Sequence, residues 1–539
     1  MSSRLRTLAL SVVFIVVAIP ARAQAPDAPR PKLVLFITID AFRPDYLTRF
    51  EPQLTGGLGR LYRGGAFFSN GFQDHAITET APGHAETMSG RSPVHTGIQA
   101  NSAGVNDTSV SVIGAPGILG ASPFRFRGTT LTDWLIAKDA RTKVLSVSRK
   151  DRAAILPIGK SKQPVFWYAP NGTFTTSTYY GSALPDWVTA YNSRRIPASY
   201  AGKVWDLLLP ANNYSEPDSV PFEAGGVGFL FPHPESASPD TAAIALPNFP
   251  WMDDVTLDFA LAGVNALNLG AGPETDVLAI SLSTTDAVGH RYGPDSREIH
   301  DQVLRLDRYL GAFLDSLFRL RNQRDIVIAL TADHGLTPFP EVHLHDPNTG
   351  AIRVDVRPVL QRLSNSLAQA GVPGMGLNEM GWFAGNGFSF DGGVLELDRA
   401  ALAKARINTD SLVRALQTEF RAVRGVARAD RISELARADT VNDKIARRWL
   451  HMFADESKAA LVVTLEPYNY WATSINIAWH GSPNDPDARV PILFYGDGVK
   501  PGRYTDFARV VDMAPTLAAL VGVTPLEKLD GHVLQNAIR

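Results

Sequence analysis

The sequence predicts an α/β fold: a large, mostly parallel central sheet flanked by helices, with inserted subdomains at its rim. Three observations carry this. Apolar, β-rich runs recur at residues 33–39, 277–282, 326–330 and 490–494, the pattern of strands buried on both faces. Asp40, Asp286, Asp333 and His334 stand at or just after the ends of the first three runs. Between the second and third, Ile299, Val303, Leu306, Leu310, Phe313 and Leu317 draw one apolar helical stripe, which completes a strand–helix–strand unit.

Taken in order, the chain opens on an export signal. Arg4 and Arg6 precede an apolar run at 8–19, and Ala21-Arg22-Ala23 is a small-x-small cleavage site. The run is shorter than the ~20 residues a membrane span needs, so residues 1–23 read as a signal peptide cleaved after Ala23. The mature chain, 24–539, is expected in the periplasm or outside the cell, free of the membrane. Its first residues, 24–31, are a loose Ala/Pro-rich lead-in. The first strand run then leads, after a long interval, to an apolar run at 144–147 and the cations Lys150 and Arg152. Residues from about 160 to 268 are rich in Pro, Tyr, Trp and Ser and break the α/β rhythm. They read as an inserted, cap-like lobe, with Trp167, Tyr168, Tyr179, Tyr180 and Trp187 as its small core or as a substrate cap. A second insertion is expected over about 340–471, with a helix at 410–423. A short helix at 514–521, with Pro515 near its start and Gly522 after it, closes the fold.

Composition narrows the chemistry. The chain has 539 residues, 45% hydrophobic and 20% charged, as an ordinary globular protein does. Lys plus Arg is 52 and Asp plus Glu is 54, a net charge of −2. That lacks the basic surplus of a nucleic-acid binder. Without the leader, 49 basic residues face 54 acidic ones. Cysteine is absent, which excludes disulfides, thiolate metal sites and a cysteine nucleophile. Any metal must be held by histidine and carboxylate.

Open α/β sheets bind ligands outside the carboxyl ends of their strands, where the acidic residues and histidine recur. Asp286 and His290 are four apart, so one helical turn puts both on one face. Thr80 stands at the N-cap position of a helix, with Pro82 in its first turn. A helix N-terminus favours an anion, so this segment is either an ordinary capped helix or the seat of a nucleophile. A threonine hydroxyl needs a base or a metal to act as one. Lys150 and Arg152, two apart in extended chain, would point the same way; they are either a solvated face or an oxyanion site. His343 and His345 form a separate His-x-His pair, which is either a surface metal site or, with no third ligand in view, a polar loop.

Together these segments resemble the alkaline phosphatase superfamily, and specifically its PafA-type, phosphate-irrepressible bacterial alkaline phosphatases. The resemblance runs from Leu33 to the closing Val511-Asp512-Met513-Ala514-Pro515-Thr516-Leu517. It implies an alkaline-phosphatase-like sandwich with two metals, zinc by ligand type, at the carboxyl edge of the sheet. Thr80-Ala81-Pro82-Gly83-His84 matches the nucleophile segment and Asn101 the phosphate-binding Asn. Asp40, Asp333 and His334 match the ligands of the ion that also holds Thr80. Asp286, His290 and His480 match those of the other. Lys150 and Arg152 match the Lys-x-Arg segment of the PafA type, which the diesterase branch generally lacks.

The resemblance implies a phosphomonoesterase that works through a phosphothreonine at Thr80. The first ion would activate the hydroxyl and the second would stabilise the leaving oxygen. Asn101, Lys150 and Arg152 would bind the non-bridging oxygens. Two divalent ions and two cations, set against three carboxylates and an alkoxide, leave a net +2, which matches a monoester dianion. The substrates expected are therefore small phosphate monoesters, with some diesterase side activity, and a monomer is favoured. The alternative is a nucleotide pyrophosphatase/phosphodiesterase of the same superfamily. A formylglycine sulfatase lacks its cysteine here. An exported chain does not suit a glycolytic mutase. Thr78 and Ser89 are the fallback nucleophiles.

Overall fold

A computed structural model describes residues 30–539 except 344–349, 373–375, 378–382, 386, 455 and 473–477. The expected signal peptide and His345 lie outside the described residues, as does the side chain of His343. Nine strands form the central sheet: Leu33–Ile39 (β1), Ala66–Phe72 (β2), Val144–Ser148 (β3), Val165–Tyr168 (β4), Phe174–Thr175 (β5), Asp276–Leu282 (β6), Ile326–Thr331 (β7), Ile492–Gly496 (β8) and Gly502–Arg509 (β9). Their spatial order is β9-β2-β8-β7-β1-β6-β3-β4-β5. All pair in parallel except β8, opposed to both its neighbours, and β5, opposed to β4.

The central strands are continuous apolar runs because both faces are covered: every residue of β1, β6 and β7 is buried. Their register sets the carboxyl ends level, with Ile39 opposite Leu282 and Thr38 opposite Thr331. The helices that matter for the site are Thr80–Thr87 (α1), Asp151–Ile155 (α2), Trp251–Leu267 (α3), Thr284–Tyr292 (α4), Arg297–Leu320 (α5) and Met513–Val521 (α6). On α5 all six stripe residues are buried, and the Ser296 hydroxyl caps it by accepting the Ile299 N–H at 3.1 Å. Gly522 ends α6 in the left-handed conformation, at φ 64°.

Two expectations need correction. The run at 490–494 is not a parallel strand; β8 starts at Ile492 and runs antiparallel to β7. An antiparallel strand presents its amino end at the carboxyl edge of its neighbours, so the residues leading into β8 arrive at the site. Secondly, residues 160–268 are not one inserted lobe. Strands β4 and β5 complete the central sheet, and α3 packs on β3 and β6. Trp167 and Tyr168 are buried in the main core, and Trp187 meets Phe166 edge-on at 5.3 Å. Trp167, Tyr168 and Trp187 fill the flank of the sheet, as large buried rings do when a sheet face must be covered. Strands β2 and β9 escape sequence reasoning, because they carry too many polar or exposed residues to stand out by hydropathy.

Within 340–471 the chain builds a second sheet of six strands. Helices Arg357–Gln369 and Thr409–Arg421 pack on it, around buried Leu360, Leu363, Phe390 and Phe420.

Candidate active site

The level strand ends place the acidic residues side by side. Asp40 follows β1 directly, and Ala41 then turns the chain at φ 57°. The Ala41 and His334 backbone N–H groups both donate to Asp333 Oδ1, at 3.2 and 3.1 Å. This fixes the Asp333 carboxylate and turns Oδ2 toward His334 Nε2, 3.6 Å away. Asp40 Oδ1 lies 3.4 Å from the same nitrogen. Asp40, Asp333 and His334 form one compact, fully buried ligand set.

Asp286 and His290 do share one face of α4, with Asp286 Oδ1 3.2 Å from His290 Nε2. His480 arrives in the chain that leads into β8, its Nε2 3.8 Å from Asp286 Oδ1. His334 lies between the two sets: its ring stacks on that of His480 at 3.6 Å, and Asp286, His334 and His480 form a second compact cluster.

All three imidazoles are held in the same way. Each Nδ1–H donates to a backbone carbonyl: His290 to Ala478 at 2.6 Å, His334 to Gly335 at 2.8 Å and His480 to Thr78 at 2.8 Å. Each Nε2 therefore faces the carboxylates. A metal-ligating histidine has this arrangement, because the second hydrogen bond fixes tautomer and ring orientation. Asp40 Oδ1, Asp286 Oδ1, Asp333 Oδ2 and His334 Nε2 are buried without a hydrogen-bond partner among the described residues. Buried carboxylates left so are costly unless a cation satisfies them, so the donor set fits divalent ions.

The electrostatics agree. Burial and the Asp286 charge push the Asp40 carboxyl up, but Lys150 and His334 outweigh them and hold it well below the usual carboxylate range. Burial disfavours a charged His334, yet Asp333, Asp40 and Asp286 push its pKa up to about 9. Burial, then His334 and His290, push His480 well down. The pocket draws positive charge onto one imidazole and keeps its stacked neighbour neutral.

Thr80 is the first residue of α1; the cap position belongs to Glu79, one residue earlier than expected. The whole helix is buried. It seats against the end of β7 because residue 83 is glycine: a Cβ there would lie 2.2 Å from the Asp333 carbonyl oxygen. Thr80 Oγ1 accepts from Lys150 Nζ at 3.4 Å. The fallback hydroxyls are engaged elsewhere, Thr78 with the Ser482 carbonyl at 2.9 Å and Ser89 with the Ala85 carbonyl at 2.6 Å. Asn101 Oδ1 accepts the Ala81 N–H at 2.9 Å, which assigns the amide and leaves its NH₂ for a ligand.

Lys150 and Arg152 do not lie in one extended segment. Lys150 has extended backbone, while Arg152 is the second residue of α2. Lys150 Nζ bridges Asp40 Oδ2 at 2.6 Å and Asp286 Oδ2 at 2.7 Å. Arg152 lies 3.8 Å from Asp151, and its charge also acts on half-buried Glu79.

Two supporting residues escape sequence reasoning. His84 Nδ1 donates to the Thr80 carbonyl at 2.9 Å and lies 3.2 Å from Asp333 Oδ2, and its Nε2 meets Ser281 Oγ at 2.9 Å. It thus ties α1 to β6 and β7. Glu79 Oε2 accepts the Asn101 N–H at 2.7 Å and holds that loop beside α1. The four-residue spacing of Thr80 and His84 is the one signal that puts them on a common face.

Known proteins share this framework. The family model of type I phosphodiesterases and nucleotide pyrophosphatases matches residues 34–361. Alkaline phosphatase PhoV of Synechococcus elongatus is 31% identical, with 100% of each chain covered. Alkaline phosphatase PhoK of Sphingomonas is 32% identical over 95% of this chain and 92% of its own. The crystal structure of wild-type alkaline phosphatase PafA superposes with a TM-score of 0.84 at 27% identity, covering 95% of this chain and 100% of the other. The chain belongs to the alkaline phosphatase superfamily, in the type I phosphodiesterase/nucleotide pyrophosphatase family, and stands with the PafA-type alkaline phosphatases.

Proposed function

We propose that this chain is an exported, zinc-dependent phosphomonoesterase that hydrolyses small phosphate monoesters through a phosphothreonine at Thr80. One observation carries the reading: three imidazoles, each fixed through Nδ1, turn Nε2 toward buried carboxylates beside the Thr80 hydroxyl.

Asp40, Asp333, His334 and Thr80 would hold one ion, and Asp286, His290 and His480 the other. Zinc at these positions supplies Lewis-acid charge beside the entering and leaving oxygens. The Thr80 hydroxyl gives its proton to solvent as Oγ attacks phosphorus in line; the Oγ–P bond forms as the bond to the leaving oxygen breaks. The leaving alkoxide takes a proton from solvent. Water then attacks the phosphothreonine: its oxygen bonds to phosphorus as the Oγ–P bond breaks, one of its protons passes through solvent to Thr80 Oγ, and phosphate departs. The Asn101 NH₂, Lys150 and Arg152 bind the non-bridging oxygens, where transition-state charge gathers. The residues that would surround the phosphoryl group, two ions included, carry a net +2, suited to a dianion and not to a singly charged diester.

The second reading, a phosphodiesterase, draws on the description of the matching family model. One experiment separates the two. The mature protein is analysed for metal and assayed on an aryl phosphate and on its methyl diester. The expected result is about two zinc ions per chain and a kcat/KM at least ~100-fold higher for the monoester. A diester preference would replace the first reading with the second.

A further inference from the structure

The row of rings at the site continues past the histidines. His334 and His480 stack at 3.6 Å and 13°. The Trp479 ring is nearly parallel to His480, 5.8 Å away at 13°, and lies 5.3 Å from His290. Exposure rises along the row. His334 is fully buried and His480 is 7% exposed; the His290 side chain is 22% exposed, and Trp479 is half-buried. The Asp286–His290–His480 side therefore opens toward the indole.

The indole stands on a rigid base. Ala478 and His290 exchange hydrogen bonds, Ala478 N to the His290 carbonyl at 2.8 Å and His290 Nδ1 to the Ala478 carbonyl at 2.6 Å. The Trp479 carbonyl accepts the Thr337 N–H at 3.1 Å. The buried Tyr470 hydroxyl accepts the Trp479 N–H at 2.8 Å and donates to the Thr337 carbonyl at 2.5 Å. These bonds fix the main chain from which the indole projects.

We propose that Trp479 is a specificity-determining residue that packs against the leaving group and favours monoesters of aromatic alcohols. The inference rests on the phosphomonoesterase reading, which puts the leaving oxygen beside Asp286, His290 and His480. A ring attached to that oxygen emerges next to His290, within reach of the indole, whose flat face offers stacking that a short alkyl group cannot use.

The test compares phenyl phosphate with ethyl phosphate in wild type, Trp479→Ala and Trp479→Phe. Trp479→Ala should lower kcat/KM for phenyl phosphate about tenfold while ethyl phosphate changes less than about twofold. Product inhibition by inorganic phosphate, which has no leaving group, should stay unchanged, and Trp479→Phe should restore most of the loss. An equal fall for both substrates, or a matching shift in phosphate inhibition, would mean that Trp479 merely supports His290 and His480, and would overturn the proposal. Should Trp479→Ala not fold, wild-type inhibition decides: phenylphosphonate should bind about tenfold more tightly than methylphosphonate, and equal binding sinks the idea. Wild type that turns over neither ester refutes the phosphomonoesterase reading instead.

Discussion

Thr80→Ala removes the one hydroxyl of the three candidates that faces Lys150 and the ligand carboxylates. The variant should form no phosphoenzyme and lose at least ~10³-fold in kcat on an aryl phosphate, because no nucleophile remains for the covalent route. Acid-quenched labelling with a phosphorylated substrate reads this; a labelled Thr80→Ala chain would move the nucleophile. Lys150 and Arg152 are proposed to act on charge. If they flank the phosphoryl group, replacing both by Ala removes two positive charges there, so the monoester dianion should suffer more than the methyl diester. The expected losses are about 10³-fold and about 10-fold. A monoester rate that falls no further than the diester rate would break the charge-matching argument. Lys150 Nζ already satisfies Asp40 and Asp286, so this variant should also bind the ions differently, and metal content belongs in the same measurement.

Elements were legible where burial imposed a single period. Strands β1, β6 and β7 and the stripe of α5 read directly, because a run buried on two faces has only one pattern available. Strand β9 is an edge strand with exposed residues, and its pairing with β2 is decided by tertiary contact rather than hydropathy. The same limit hid the turn Glu223–Gly226, which packs against α4. Glu223 is 3% exposed; burial, then Glu298 and Asp218, raise its pKa from 4.5 to about 9. Its Oε2 has no hydrogen-bond partner among the described residues. The folded state thus keeps a proton that the unfolded chain releases above pH 4.5, so this residue's contribution to stability falls as pH rises from about 4.5 to about 9. Glu223→Gln removes that dependence. Its melting temperature should match wild type at acid pH and exceed it progressively toward pH ~9, by about 1–3 kcal/mol in stability. A constant offset across that range, measured by calorimetry, would show that Glu223 is not protonated in the fold.

At the scale of the whole molecule, the candidate ligand residues span the chain from Asp40 to His480, and their assembly rests on the topology. Asp40, Asp286 and Asp333 were legible because a parallel register sets strand ends level. That His480 joins them depends on β8 running backwards, which no local pattern announces. His334 lying within both ligand clusters is likewise a packing result. This architecture gathers three buried carboxylates and three imidazoles from four separate segments between Asp40 and His480. Without a cation, mutual repulsion of Asp40 and Asp286 is opposed mainly by Lys150 and a protonated His334. Ions bound there stabilise the folded chain by mass action, since the unfolded chain cannot assemble the set. Chelation should therefore lower the melting temperature of the mature protein by about 5 °C or more, and zinc should restore it. Substituting Asp286→Asn should shrink that zinc-dependent shift by about half, because one of the two ligand sets loses its carboxylate. A melting temperature that ignores both chelator and zinc, alongside intact activity, would show that these carboxylates are balanced by the protein's own cations and that the proposed metal chemistry is wrong.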